Sequence, residues 1–108
     1  MNFDVYQNLS RKTAIYKQEH NLVYPTLGLV GESGEVAEKI KKVIRDKNGT
    51  VNKATREEIK KELGDVLWYM SQLATELGLK LDDIAEENIR KLRSRKKRGK
   101  IHGSGDNR

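Results

Sequence analysis

The stretch GLVGESGEVAEKIKK, residues 28–42, carries glutamates at 32, 35 and 38, and its apolar residues Leu29, Val36 and Ile40 lead on to Val43 and Ile44 at helical spacing. A second stretch, KKELGDVLWYM at residues 60–70, repeats the device: Glu62 and Asp65 lie on a segment whose apolar set is Ile59, Leu63, Val66, Met70, Leu73 and Leu77. At about 100° per residue, Glu32 stands about 80° from the centre of its apolar arc and Glu35 farther along the same flank, while Glu38 points nearly away. On the second segment Glu62 falls about 70° and Asp65 about 130° from the apolar centre, and Tyr69 continues their stripe one turn later. Both pairs border a seam that the apolar residues are expected to bury.

The same spacing marks two more helices. Tyr6, Leu9, Thr13 and Tyr16 predict a first helix over about residues 3–20, ended by Asn21 and the lone Pro25. The helix with Glu32 is predicted over about residues 25–45 and closes at the turn-forming DKNGT of residues 46–50. Thr55 with Glu58 forms a capping-box pattern for the third helix, which stops at Gly78. Asp82 or Asp83 can cap a fourth, which carries Ile84 and Leu92 and a basic end. Four amphipathic helices on short connections predict an all-α, four-helix bundle-like single domain. That domain spans residues 1–98, and residues 99–108, GKIHGSGDNR with its three glycines, are expected to form a mobile tail. Trp68 falls almost opposite the apolar centre of the third helix, which predicts an exposed indole of the kind that marks a subunit contact.

Length and composition narrow the classes. A chain of 108 residues has room for one domain, and 35% charged against 6% aromatic residues favours helices over a sheet. The absence of cysteine excludes a disulfide framework and thiolate metal sites. No run approaches the ~18 apolar residues of a membrane span, and MNFDVYQNLSRK lacks a signal-peptide core, so a soluble cytoplasmic protein is expected. The net charge of +6 is concentrated in RKLRSRKKRGK, residues 90–100, which admits a second reading: a non-catalytic helical bundle that binds nucleic acid through this segment.

If the second and third helices pack antiparallel, as a short loop favours, their flanks bring four carboxylates together. Four anions in one cleft repel, and a hard divalent cation relieves them; Mg²⁺ suits an all-carboxylate site that leaves positions for water and substrate phosphates. The plainer reading has the acids solvated and paired with Lys39, Lys42, Lys60 or Lys61. Gly34 and Gly64 sit inside the two acid pairs, and glycine within a helix costs about 1 kcal/mol relative to alanine, so both predict close helix approach or room for a ligand. A di-iron site is disfavoured, because neither His20 nor His102 stands three residues after a glutamate. Both histidines read as surface residues.

GLVGESGEVAEKIKK followed after some 25 residues by KKELGDVLWYM resembles the MazG-like nucleotide pyrophosphohydrolases of the all-α NTP pyrophosphatase superfamily, whose signature pairs Glu-x-x-Glu on one helix with Glu-x-x-Asp on the next. Here these are Glu32 with Glu35 and Glu62 with Asp65. NIRKLRSR and the ending IHGSGDNR extend the likeness. The family often has another glutamate just before the first pair, where this chain has Gly31. The resemblance implies Mg²⁺-dependent hydrolysis of a nucleoside triphosphate between the α and β phosphates, with Mn²⁺ able to substitute, by a homodimer or homotetramer. Residues 1–98 would be the catalytic domain. Glu32, Glu35, Glu62 and Asp65 would hold the metal. One carboxylate would act as general base; Glu35 is taken for that role, although spacing does not separate ligand from base. Tyr69 beside the acid stripe, Asn88 in the apolar arc of the fourth helix, and Lys91 and Arg95 on the same edge are the expected substrate contacts.

Overall fold

The computed structural model describes residues 1–108 and is entirely helical: α1 Phe3–Arg11, a single 3₁₀ turn at Gln18–His20, α2 Val23–Asp46, α3 Lys53–Glu76 and α4 Leu81–Lys97. α1 opens on Asn2, whose side-chain oxygen accepts from the Val5 amide at 2.9 Å. It closes nine residues short of the expected end. The amides of Lys12, Thr13 and Ala14 tighten to i→i−3 bonds, the Thr13 hydroxyl donates to the Ser10 carbonyl, and Arg11 and Tyr16 are both drawn to Glu76 on α3, where the regular helix gives way. The periodicity of Thr13 and Tyr16 is therefore satisfied by tertiary hydrogen bonds instead of a continued helix.

α2 and α3 form the main hairpin. Gly28 meets Tyr69, Lys39 pairs with Glu58 at 3.7 Å, and Lys47 donates to Thr55, so partners descend along α3 as the chain ascends α2 and the helices run antiparallel. Asn48 and Gly49 make the turn with positive φ of 51° and 77°, a conformation these residue types tolerate. The cap of α3 is Asn52, which accepts from the Thr55 amide at 2.8 Å; Thr55 itself is buried in the first turn, and Glu58 is used by Lys39. At the far end Gly78, φ 70°, lets the Leu79 amide reach the Ala74 carbonyl and its own amide reach Thr75, a Schellman stop.

α4 is capped from another helix. Neither Asp82 nor Asp83 caps it; the Gln7 side chain on α1 accepts from the Leu81 amide and donates to Thr75 and to the Leu79 carbonyl, each at 2.9 Å. The two aspartates occupy the first turn, where negative charge complements the helix dipole. α4 packs chiefly on α1 and only marginally on the hairpin, so the bundle is open on one side. Residues 99–108, expected to be mobile, have no helix yet fold back: Arg108 donates to the carbonyls of Lys100, Ile101 and Gly105, and Asp106 pairs with Lys91 and Arg95.

Only nine of 108 residues are fully buried, and five of those are polar: Ser10, Thr55, Ser71, Gln72 and Arg95. The α1–α3 contact is a hydrogen-bonded layer in which Ser10 bonds Ser71 and Gln72 while Gln72 and Glu76 meet Arg11. The stripe expected to be core on α3 is half bare, with Leu63 53% and Leu77 54% exposed, as is Ile44 on α2 at 69%. Trp68, expected in solvent, is instead half-buried: its indole N–H donates to Thr13 at 2.7 Å under the segment that follows α1.

Candidate metal centre

Antiparallel packing sets the acid flanks of α2 and α3 face to face, and carboxylate oxygens of Glu32, Glu62 and Asp65 gather within 4.8 Å of one another. Burial raises the Glu32 pKa first, followed by a hydrogen bond with Glu62 and the charges of Asp65, Glu62 and Glu35. Tyr69 is raised by burial, by its hydrogen bond with Tyr24, and by the charges of Glu32 and Asp65. Asp65 also raises Tyr6, after burial. The negative field of the cluster therefore reaches α1 as well as the hairpin.

None of the nine ion pairs in the chain involves Glu32, Glu35, Glu62 or Asp65. Of the four lysines expected to neutralise them, Lys39 pairs with Glu58 and Lys60 with Glu57, while Lys42 and Lys61 form no ion pair at all. Three convergent carboxylates without an ion-pair partner, in a chain with 22 Lys and Arg, could together hold a metal ion.

The MazG nucleotide pyrophosphohydrolase domain matches residues 18–99 of this chain, a span that contains both acid pairs. The chain belongs to this family. It is also 47% identical, over a 114-residue alignment covering all of both sequences, to the Gene 37 protein of Mycobacterium phage L5. No solved structure matches it. No helix is long and apolar enough to cross a membrane.

The remaining expected residues of this MazG chain are distributed unevenly. Glu35 stands outside the three-carboxylate group, one turn along α2 and exposed, close enough for its charge to act on Glu32. Tyr69 lies beside the acids with its ring against Gly28, where an added Cβ would come within 2.2 Å of a ring carbon. The close helix approach is therefore at Gly28; an added Cβ on Gly34 or Gly64 would meet nothing within 4 Å. Asn88 is exposed on α4, and Lys91 and Arg95 are held by Asp106 at 3.0 and 3.3 Å. Sequence reasoning passed over Tyr24, although Tyr24, Gly28 and Glu32 recur every four residues along one stripe of α2.

Proposed function

We propose that this chain is a Mg²⁺-dependent nucleoside triphosphate pyrophosphohydrolase, cleaving NTP or dNTP to the monophosphate and pyrophosphate in nucleotide-pool cleaning or regulation. The observation that carries the reading is the convergence of Glu32, Glu62 and Asp65 without any cationic side chain. These three would hold the ion, with Glu35 joining them when it binds. Mg²⁺ there would supply charge for the phosphate oxygens and acidify water.

Glu35, solvent-exposed beside the cluster, is the base: its carboxylate takes the proton of the attacking water as the anhydride bond between the α and β phosphates breaks. Tyr69 borders the sugar, and Asn88 with Lys91 and Arg95 would contact phosphate oxygens, the two cations exchanging Asp106 for the triphosphate. Residues 1–98 form the catalytic domain, with 99–108 as its appended tail. The half-bare stripe of Leu63 and Leu77 supports a homodimer or homotetramer. The alternative, a nucleic-acid-binding bundle, would rest on Arg93, Lys96, Lys97 and Lys100, since Arg90, Lys91, Arg95 and Arg98 of the same segment are engaged within the chain.

Metal linkage tests the reading. Millimolar Mg²⁺ should raise the melting temperature of the wild type, because the ion binds only the assembled carboxylates, and Glu62→Gln should lose most of that rise. Equal melting temperatures with and without Mg²⁺ in the wild type would count against the site.

A further inference from the structure

Arg95, expected from the sequence to contact substrate phosphate, is the one charged residue among the nine that are fully buried, at 5% exposure. What occupies it is the chain's own tail. Its guanidinium donates to the main-chain oxygen of Asp106 and, at 3.3 Å, to the Asp106 carboxylate, and the Lys91 ammonium donates to the same carboxylate at 3.0 Å. Lys91 and Arg95 lie one turn apart on α4, so a single carboxylate bridges them. Pulled first by Lys91 and then by Arg95, the Asp106 carboxyl stays below the ordinary aspartate range and is an anion at neutral pH.

The loop that carries Asp106 is shaped to bring it there and is held by little else. Arg98 donates to the Arg108 main-chain oxygen at 2.7 Å, and the Arg108 guanidinium gathers the carbonyls of Lys100, Ile101 and Gly105 at 3.1, 2.8 and 2.6 Å. Gly103 lies within this loop at φ 146°, in the region that favours glycine, and a Cβ there would stand 3.0 Å from Arg108 Cδ. Ile101 is the loop's only apolar side chain, and it is exposed. With no hydrophobic burial to hold it, the loop belongs among the segments that open most easily. The Asp106 side chain is itself 81% exposed, so a competing anion can approach the cations from beside it.

We propose that residues 99–108 are an autoinhibitory latch: Asp106 stands on Lys91 and Arg95 in the place of a substrate phosphate, and the triphosphate displaces it in order to bind. The inference rests on the pyrophosphohydrolase reading, in which these two cations contact phosphate oxygens, and adds the regulation of that site. A site that is open only a fraction of the time binds its ligand more weakly by that fraction. The tethered carboxylate is always at hand at high effective concentration, so an anion with one charge competes poorly for the two cations. A triphosphate, with several charges and many acceptor oxygens, replaces both bonds at once.

Calorimetric titration of the full chain with inorganic pyrophosphate, the proposed product, in Mg²⁺ tests the latch. Asp106→Asn, which keeps the shape of the side chain and removes its charge, is expected to bind about fivefold more tightly than the wild type. Gly103→Ala, which leaves every charge in place and unseats Arg108, should tighten binding by a similar factor. Asp83→Asn is the control for charge alone: it removes one anion from the other end of α4 and should shift affinity by less than about twofold. A loop that served only to pair the buried Arg95 would give the opposite sign, since freeing it would cost the cation its order and weaken binding. Pyrophosphate affinity unchanged or reduced in both Asp106→Asn and Gly103→Ala, or raised as much by Asp83→Asn, would overturn the latch while leaving the proposed function intact. Wild-type protein that binds pyrophosphate no better than Asp65→Asn does would overturn the function itself, and the latch with it.

Discussion

Angular position led to the expectation that Glu32, Glu35, Glu62 and Asp65 meet when the two helices pack antiparallel; Glu32, Glu62 and Asp65 do, and Glu35, one turn along the same flank, stands outside the group. What the sequence leaves open is which glycine marks the contact. Gly34 and Gly64 lie within the acid pairs, yet Gly28, four residues before Glu32, is the one pressed against a side chain, because only the partner helix supplies Tyr69 there. The three glycines should separate in a melting experiment. Gly34→Ala and Gly64→Ala are expected to stabilise the fold by up to about 1 kcal/mol each, through helix propensity with free space around the new methyl. Gly28→Ala is expected to destabilise by about 1–3 kcal/mol, because the Tyr69 ring must leave its place, and the displaced ring should also lower turnover. Equal effects at the three positions would mean that α2 and α3 approach differently.

Among the elements, α2 and α3 follow their periodicity to within a few residues because their apolar stripes and turn residues agree, whereas α1 does not. Its apparent continuation through Thr13 and Tyr16 loses to Glu76, a partner more than fifty residues away that no local pattern announces. The caps of α3 and α4 were misplaced for related reasons: Asn52 outcompetes the Thr55–Glu58 pattern, and Gln7 reaches α4 from a different helix. The α1–α3 layer carries a pH signature. Hydrogen bonding from Tyr16 first, then from Arg11, holds the nearly buried Glu76 carboxyl below the ordinary glutamate range. A depressed folded pKa contributes stability that is present above the unfolded value of about 4.3 and is lost as pH falls through the lower folded value. Denaturation from pH 7 to pH 3 should therefore show an acid-side loss that Glu76→Gln flattens, with that variant less stable by about 2 kcal/mol near neutrality. An unaltered pH profile in Glu76→Gln would remove Glu76 from the account of α1.

The whole molecule is open for its length, with a radius of gyration of 16.8 Å against the roughly 13 Å of a compact chain this size. Leu63, Met70 and Leu77 form one stripe at seven-residue spacing that the chain itself leaves half exposed, and Trp68, on the other face of α3, is covered by residues 12–17. The stripe read as core on α3 is thus covered only at Ile59, Val66 and Leu73, while the indole read as exposed is half-buried, because periodicity locates an apolar stripe but does not say which chain covers it. Light scattering is expected to give a mass above the 12.4 kDa of one chain, and Met70→Glu a smaller species, since burying that charge without a partner costs several kcal/mol. A wild-type mass of one chain would assign the stripe another role. The central claim, that the cation-free acids of α2 and α3 make this chain a pyrophosphohydrolase, is tested most directly by pyrophosphate release from a panel of NTPs and dNTPs with Mg²⁺, comparing wild type with Asp65→Asn. The account predicts metal-dependent release of pyrophosphate and monophosphate by the wild type, and a loss of at least about a hundredfold in the variant with helical content unchanged. Release of orthophosphate instead, or full turnover in Asp65→Asn, would contradict it.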